Sequence, residues 1–284
     1  MTIAVTGATG QLGRLVIEDL KTRVPAGDIV ALVRDPAKAA DLGVAVRVAD
    51  YAQPETLATA LAGVDTLLLI SSDAVGQRVA QHRNVIEAAK VAGVKRIAYT
   101  SILHADTTPI ALAQEHVATE ALIKASGLTY ALLRNGWYFE NYTGSLAGAI
   151  AAGAIIGASR EGRVSAATRQ DYAEAAAVVV STPDTENRVY ELAGDTAFTR
   201  ADLAAEVSRQ TGKTIVYNDL PEATYAGILE SFGLPAPYAA IIAQSDVGAG
   251  HGGLFDESHT LSGLIGRPTT SLTDAVAQAL KTLG

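Results

Sequence analysis

The sequence predicts a doubly wound α/β protein, in which helices cover both faces of a parallel β-sheet. Short apolar runs alternate with helical patterns through the first half of the 284-residue chain, which is typical of successive β-α units. The runs are continuous and do not alternate with polar residues, as expected for strands buried on both faces. Gly93 and Gly127 each follow a helical stretch, where C-terminal caps lie. Six such units with short connections predict the strand order 3-2-1-4-5-6.

The elements of this sheet follow one another along the first part of the chain. The predicted strands span residues 2–6, 29–33, 44–48, 66–70, 96–100 and 129–134. The predicted helices between them include residues 12–21, 81–91 and 111–125. Residues 1–134 are therefore predicted to form a first domain, and a segment at about 164–192 is predicted to return to it.

The pattern changes after residue 134, and residues 135–284 are predicted to form a smaller, mixed α/β domain. Its predicted strands span residues 155–156, 164–167, 189–192 and 214–217. The first two flank the sequence SREGR and are expected to pair about a turn. Three helix starts are predicted from capping patterns, namely Asp171-x-x-Glu174 for residues 172–180, Thr199-x-x-Asp202, and Ser271 for residues 272–283.

Composition and charge exclude several classes of function. The chain contains no cysteine, which excludes disulfides, iron–sulfur clusters, thiolate zinc sites and a cysteine nucleophile. The net charge is -8 and the longest basic run is the pair Lys95-Arg96, so we expect no nucleic-acid partner and no anionic membrane surface as a partner. The first predicted strand begins at residue 2 and leaves no space for a signal peptide, so we expect a cytoplasmic protein.

One segment resembles a membrane helix at first sight. Residues 141–159 carry no charge and contain two G-x-x-x-G patterns, which are common where membrane helices pair. The continuous apolar part is shorter than the ~20 residues that span a bilayer, and Gly153 lies where a helix would stop. We therefore expect no membrane span.

The stretch TGATGQLG, at residues 6–13, lies between the first predicted strand and the first predicted helix. Its spacing, Gly7-x-x-Gly10-x-x-Gly13, differs from the standard G-x-G-x-x-G, but it occupies the place in a β-α-β unit that a dinucleotide-binding loop requires. Gly7 permits a tight turn, Gly10 admits a pyrophosphate, and Gly13 lets the helix pack on the strand. The alternative is a purely structural turn. We predict a dinucleotide site in a Rossmann-type sheet.

The residue after the second strand selects between the two nicotinamide dinucleotides. Proteins that bind NAD place an acidic residue here for the ribose 2′-hydroxyl, whereas ALVRD places Arg34 first and Asp35 behind it. A guanidinium binds a 2′-phosphate that a carboxylate would repel. The alternative is a solvated arginine at a strand end. We predict NADPH as the cofactor and weaker binding of NADH, although Asp35 keeps this preference from being absolute.

Longer stretches resemble a known family. TGATGQLG, LVRDPAK at 32–38 and NVIEAAKVAGVKRIAYTS at 84–101 are similar to the NmrA-like branch of the atypical short-chain dehydrogenases. LLLISS at 67–72, LLRNGWYFENY at 132–142 and the run at 245–272 resemble the bacterial quinone-reducing members of that branch more closely. The resemblance extends through nearly the whole chain, and it implies NADPH-dependent two-electron reduction of quinones to hydroquinones.

The resemblance also implies a set of cofactor contacts beyond the carboxyl ends of the strands. They fall on the glycine-rich loop, on the end of the second strand, and on the residues after the fourth and sixth strands. These residues are Gly7, Ala8, Thr9, Gly10, Gln11, Leu12, Arg34, Ser71, Ser72, Asn135, Gly136, Trp137 and Tyr138. For Trp137 and Tyr138, an aromatic plug between the two domains is an alternative or an additional role.

Acid–base catalysis lacks its usual residues here. Standard short-chain dehydrogenases use a Tyr-x-x-x-Lys pair, and no tyrosine of this chain has a lysine four positions on. A quinone needs a strong acid less, because the hydroquinone anion has a phenol-like pKa of about 10, and positioning supplies most of the rate. We predict hydride transfer by proximity, with His116 and Ser101 as auxiliary groups. Glu120, one helical turn beyond, is expected to raise the pKa of His116. The alternative is that His116 has no catalytic role and is a partly exposed histidine on the helix surface.

The remaining patterns are weaker. The run Gly248–Gly253 follows no strand and is interpreted as a loop or a substrate wall. The spacing of His251, Asp256 and His259 matches no standard ligand set, so we expect no metal. A single fingerprint leaves no evident second site for a flavin. Two other functions stay open, namely reduction of another conjugated acceptor such as a triphenylmethane dye, and a non-catalytic NADP(H)-sensing regulatory protein. A homodimer also stays open.

Overall fold

The computed structural model describes residues 1–283, and its centre is a parallel β-sheet. The strands in chain order are β1 (Ile3–Thr6), β2 (Ile29–Val33), β3 (Ala45–Val48), β4 (Thr66–Leu69), β5 (Arg96–Ile102), β6 (Thr129–Asn135), β7 (Ala154–Gly157), β8 (Arg188–Leu192) and β9 (Val216–Asp219). Seven of them form one sheet with the order β3-β2-β1-β4-β5-β6-β8, and every pair in it is parallel. The predicted doubly wound sheet and its order 3-2-1-4-5-6 are confirmed, and β8 extends the sheet beyond β6.

Helices connect the strands and cover the sheet. In chain order they are α1 (Gln11–Lys21), α2 (Pro54–Ala60), α3 (Arg78–Val91), α4 (Ala113–Ala125), α5 (Glu140–Thr143), α6 (Leu146–Ala152), α7 (Arg169–Ser181), α8 (Arg200–Thr211), α9 (Glu222–Ser231), α10 (Ala236–Gly250), α11 (Thr260–Ile265) and α12 (Leu272–Lys281). Gly93 and Gly127 have φ values of 75° and 80°, the left-handed conformation expected just after a helix.

The two faces of the sheet bury two separate cores. Successive side chains of a strand point to opposite faces, so Val5 packs with α1, α7 and α11, whereas the preceding Ala4 packs with α2, α3 and α4. Both residues are completely buried. Burial on both faces is the physical reason why the central strands are largely apolar and show no alternation. Each fully buried Val or Leu side chain contributes ~1.5–3 kcal/mol relative to exposure.

A smaller unit of structure follows β6 and has a third core. Phe139 stacks on Phe198 with 5.3 Å between the ring centroids, and both belong to this core. The predicted pairing of residues 155–156 with 164–167 is wrong. β7 pairs instead in parallel with β9, while Val164 makes only an isolated bridge to Phe198. The expected hairpin fails because β7 finds a more distant partner whose backbone groups complete the ladder.

Helix caps agree with the sequence at two of the three predicted places. Thr199 caps α8 through a capping box with Asp202, and the Ser271 side chain accepts a hydrogen bond at the start of α12. The predicted cap of α7 is wrong by one turn, since Thr168 is the N-cap and Asp171 is the third helical residue of its capping box. The Thr168–Asp171 pair forms the expected type of capping box three residues earlier, where it satisfies the amides of Thr168 and Asp171.

Two glycine-rich segments are also explained by helix ends. Gly153 caps α6 with φ of 70°, so the uncharged segment 141–159 is broken into short elements. Across residues 1–283, no helix has both the length and the apolar character that crossing a bilayer demands. The interpretation of Gly248–Gly253 as a loop is wrong for its first part, because α10 continues to Gly250. Its glycines permit close packing, since a Cβ on Gly250 would lie 2.9 Å from the Ser159 carbonyl oxygen.

Candidate active site

The loop between β1 and α1 presents backbone amides at the carboxyl edge of the sheet. Gly7 has φ of 58°, which favours glycine, and its carbonyl accepts a hydrogen bond from the Gly10 amide at 2.9 Å. Gly10 is the N-cap of α1, and within the described residues no side chain caps this helix. α7 and α8 are instead closed by capping boxes. The open amides and the positive end of the helix dipole make the start of α1 suited to a phosphate.

The three glycines of this loop differ in how strictly they are required. A Cβ on Gly13 would overlap the Gly7 carbonyl oxygen and would lie 2.8 Å from the Ala8 Cα. A Cβ on Gly10 would lie 3.1 Å from the Gly7 oxygen, which is a tight contact that small shifts can relieve. The side chains of Ala8 and Leu12 are buried in the core. These two residues therefore have only backbone atoms to offer a ligand.

A cavity of about 430 Å³ opens beside this loop. Its walls come from the end of β2, from the residues that follow β1, β2, β3 and β4, and from one residue of α3. Six of the predicted cofactor-binding residues line it, namely Gly7, Thr9, Gly10, Arg34, Ser71 and Ser72. The remaining lining residues are Leu32, Val33, Lys38, Ala49, Asp50, Tyr51, Ile70, Asp73, Ala74 and Gln81. The cavity thus lies where the carboxyl ends of the parallel strands meet, as expected for a nucleotide crevice.

Two cations lie on the wall beyond β2. Arg34 and Lys38 both line the cavity, and no side chain among residues 1–283 hydrogen-bonds to the Arg34 guanidinium. Asp35 does not line the cavity, because its carboxylate accepts the Ala37 amide at 3.0 Å and caps a short 3₁₀ turn. The carboxylate beside Arg34 is thereby occupied away from the cavity.

The residues after β6 connect the sheet to the smaller unit. Gly136 donates its amide to the Leu192 carbonyl at 2.7 Å, and a Cβ on it would lie 2.9 Å from the Tyr172 hydroxyl. Trp137 packs against the smaller unit's core, whereas Tyr138 packs against the sheet core. The two rings thus pack against different cores, and the role of an aromatic plug between the domains stays a prediction.

Asn135, at the end of β6, carries an unusual feature. Its side chain is 5% exposed, and its Oδ1 atom is buried without a hydrogen-bond partner within residues 1–283. A buried acceptor of this kind costs about 1–3 kcal/mol when it stays unpaired. Asn135 does not line the cavity, but an orphaned acceptor at the carboxyl end of β6 fits a ligand that brings a donor, and the carboxamide of a nicotinamide has one.

The structure corrects two expectations about His116. Its side chain is 5% exposed, so it is not a partly exposed surface residue, and its Nδ1 lies 2.8 Å from the Tyr99 hydroxyl. Burial, followed by the positive charge of Arg78, holds the pKa of His116 well below 6.5. The expected increase from Glu120 is wrong, because the Glu120 carboxylate pairs with Arg134 and leaves the imidazole uncharged.

Ser101 belongs to the same buried ion cluster. Its hydroxyl donates to Glu120 at 2.7 Å, and the Arg134 guanidinium donates to both oxygens of that carboxylate at 2.9 and 2.8 Å. Burial opposes ionisation of Glu120, yet the hydrogen bonds from Arg134 and Ser101 keep its pKa below the usual range. Arg134 also bonds to Glu191 of β8 at 2.8 Å. The cluster ties the ends of β5, β6 and β8 together, and neither Ser101 nor His116 lines the cavity.

Comparison with known proteins identifies the family. A model of the NmrA-like family matches residues 1–278. The chain belongs to this family. It is 58% identical over 278 residues to Quinone oxidoreductase 2 of Escherichia coli (strain K12), with 97% of each chain covered.

Solved structures of relatives have the same fold. The NADPH-dependent quinone oxidoreductase of Escherichia coli, solved in complex with NADPH, superposes with a TM-score of 0.96 at 57% identity and covers 98% of this chain and 100% of that chain. A triphenylmethane reductase from Citrobacter sp., solved with NADP(H), reaches a TM-score of 0.93 at 40% identity, with 98% and 100% covered. The expected membership in the NmrA-like branch, nearest to the quinone-reducing proteins, is confirmed.

The lining residues that the sequence analysis missed include Lys38, Tyr51 and Gln81. Lys38 lies within LVRDPAK, and the only signal for it was a second cation four positions after Arg34. Tyr51 follows β3 and donates its hydroxyl to the Ile70 carbonyl at 2.9 Å. Gln81 lies in α3, far along the chain from the glycine loop, and no local motif marks it. Of the three residues that were weighed and rejected as metal ligands, His259 pairs with Asp195 at 3.0 Å.

Proposed function

We propose that this protein is an NADPH-dependent oxidoreductase that reduces quinones to hydroquinones by two electrons. One observation carries the proposal, namely 58% identity along 97% of both chains to a quinone oxidoreductase. The cavity beside an uncapped helix N-terminus supports it, because this geometry suits the phosphates of a dinucleotide.

The cofactor residues take separate roles in this proposal. The loop of Gly7, Ala8, Thr9, Gly10, Gln11 and Leu12 holds the pyrophosphate through backbone amides. Arg34, with Lys38 beside it, binds the 2′-phosphate and disfavours NADH. Ser71 and Ser72 border the middle of the cofactor. In this proposal the nicotinamide lies against the residues that follow β6, namely Gly136, Trp137 and Tyr138, and the orphaned oxygen of Asn135 supports this position by offering an acceptor for the carboxamide.

NADPH, when bound, supplies the hydride that reduces the quinone. The protein's task is then to orient the quinone against the nicotinamide and to exclude water from the crevice. No strongly basic oxygen has to be protonated, because the product anion has a phenol-like pKa of about 10. A site without a Tyr-Lys pair is therefore adequate for this substrate class, whereas ketone reduction would require a strong general acid.

A spectrophotometric assay tests the proposal. NADPH consumption is followed at fixed enzyme concentration with and without a small benzoquinone, and with NADH in a parallel series. We expect consumption that depends on the quinone and is faster with NADPH at low cofactor concentration. Binding of NADPH without any consumption would favour the regulatory alternative.

A triphenylmethane dye is the natural second substrate, because a reductase of such dyes has the same fold at 40% identity. Both acceptors are conjugated and need no strong acid. A dye that is consumed faster than every benzoquinone tested would replace the quinone as the proposed acceptor.

The proposed function also implies a division into two domains. Residues 1–134 form the cofactor-binding domain, to which the segment 164–192 returns, and residues 135–284 form a smaller substrate-binding domain.

A further inference from the structure

The loop after β4 borders the cavity, and side chains from α3 and α4 fix its backbone. The Ser72 amide donates to Nε2 of His82 at 2.9 Å, and the Ser72 carbonyl accepts from Nε of Arg78 at 2.7 Å. Further along the loop, the Gly76 amide donates to Glu115 at 3.0 Å. Because Ser71 and Ser72 line the cavity, any shift of this loop changes the shape of the wall.

The hydrogen bonds around His82 permit only one tautomer. The amide of Ser72 can only donate, so Nε2 must carry the lone pair. Nδ1 therefore bears the proton and donates to the Thr119 hydroxyl at 3.0 Å. That hydroxyl in turn donates to the Glu115 carbonyl at 2.9 Å. Every donor in this series of hydrogen bonds has one acceptor. A proton on Nε2 in place of Nδ1 would face the Ser72 amide, which is also a donor.

His82 is held neutral as well as oriented. Its side chain is completely buried and packs edge-on against Tyr51 and Tyr99, with centroid distances of 6.1 and 5.3 Å. Burial, followed by the charge of Arg78, lowers the pKa of His82 to about 3. The groups that face it are the Ser72 amide, the Thr119 hydroxyl, the rings of Tyr51 and Tyr99 and the charge of Arg78. None of them is a carboxylate that would favour the imidazolium.

We propose that His82 is a positioning residue for the dinucleotide, which acts by accepting the Ser72 amide and so fixing the cavity wall. The inference rests on the proposed dinucleotide site but does not depend on which acceptor is reduced. His82 touches no substrate atom in this role. Its effect should therefore appear in cofactor affinity and leave the chemical step unchanged.

Replacement of His82 tests the role. His82→Leu removes the acceptor and should raise the dissociation constant for NADPH about tenfold, the size of one lost hydrogen bond, with kcat at saturating NADPH and KM for benzoquinone unchanged. His82→Gln can still accept the Ser72 amide, and it should stay within about threefold of the parent protein. NADPH binding is measured by fluorescence, with thermal unfolding recorded for each variant.

Tyr99→Phe is the matched control, since it removes a buried hydroxyl from the same row of rings and leaves Ser72 untouched. Its NADPH affinity should equal that of the parent protein. Equal affinity losses in Tyr99→Phe and His82→Leu would reduce His82 to a packing residue and overturn the proposal, as would a Gln variant that folds yet binds as weakly as the Leu variant.

A measurement on the unaltered protein covers the case in which His82→Leu does not fold. Nitrogen-15 NMR should show His82 protonated at Nδ1, with its Nε2 resonance shifted by NADPH. Protonation at Nε2 would overturn the inference. Quinone turnover is not part of this readout, so a protein that binds NADPH and reduces no quinone would contradict the proposed function alone.

Discussion

At the scale of single residues, the cations beside β2 are expected to determine the preference for NADPH over NADH. Arg34 is exposed on the cavity wall, and the neighbouring Asp35 is turned away to cap its own turn. We predict that Arg34→Ala weakens NADPH binding by ~1.5–3 kcal/mol, the range for a hydrogen bond to a charged group, and leaves NADH nearly unaffected. Titration of both dinucleotides checks this. Equal losses for the two would remove Arg34 from the 2′-phosphate.

The buried partners of His116 and Ser101 limit what these residues can contribute to turnover. A general acid typically raises the rate 10²–10⁴-fold. In this structure the Ser101 hydroxyl is hydrogen-bonded to Glu120 and the His116 imidazole to Tyr99, so neither group is free to act as that acid. We predict that Ser101→Ala and His116→Ala each lower kcat for benzoquinone by less than ~10². The rates are corrected for the folded fraction. A greater loss with cofactor affinity preserved would indicate acid-catalysed carbonyl reduction.

The two buried histidines also predict how stability depends on pH. His82 and His116 have pKa values depressed in the folded state, so below about pH 6.5 the unfolded chain binds protons that the folded chain does not. Stability is therefore complete above pH 6.5 and falls as the pH decreases, by about 1.4 kcal/mol per pH unit for each histidine. Urea unfolding between pH 7 and 5 measures this slope, and His82→Gln should reduce it. A slope in His82→Gln equal to that of the parent protein would contradict the lowered pKa of His82.

At the scale of elements, two glycines at the start of α1 are required for different reasons, Gly10 for cofactor binding and Gly13 for folding. A side chain on Gly10 meets one carbonyl oxygen at 3.1 Å, whereas one on Gly13 enters the backbone of the loop. We predict that Gly10→Val folds but abolishes NADPH binding, because it fills the place of the pyrophosphate. Gly13→Ala should instead lower the free energy of unfolding by ~1–3 kcal/mol through overpacking. Retained NADPH fluorescence enhancement in Gly10→Val would contradict the site.

At the scale of the whole molecule, the sheet is not completed by the first half of the chain. α7 packs on α1 and the sheet core, and β8 pairs with β6. We predict that a fragment of residues 1–134 does not fold cooperatively, because it exposes the apolar face that α7 covers. Circular dichroism and urea unfolding check this, with the full chain as the control. A cooperative transition in the fragment would make residues 1–134 an independent domain.

The sequence by itself determined the sheet and the place of its crevice. Continuous apolar strands, helix caps and TGATGQLG are local patterns. Each can be recognised from the sequence because neighbouring residues supply the required geometry. The strand order followed from six successive β-α units with short connections, which is the pattern of a doubly wound sheet. Arg34 was likewise found from its distance after the glycine loop.

Only the tertiary structure decided the rest. β7 pairs with β9 across some sixty residues of chain, and local patterns cannot select a partner so far away. The charge state of His116 depends on burial and on Arg78 of α3, and that of Glu120 depends on burial and on Arg134 of β6. No spacing within α4 reveals these groups. The same holds for His82 of α3, whose proton position is set by the Ser72 amide after β4 and by the Thr119 hydroxyl of α4. Charge and tautomer are properties of an environment, and that environment forms only when distant segments pack together.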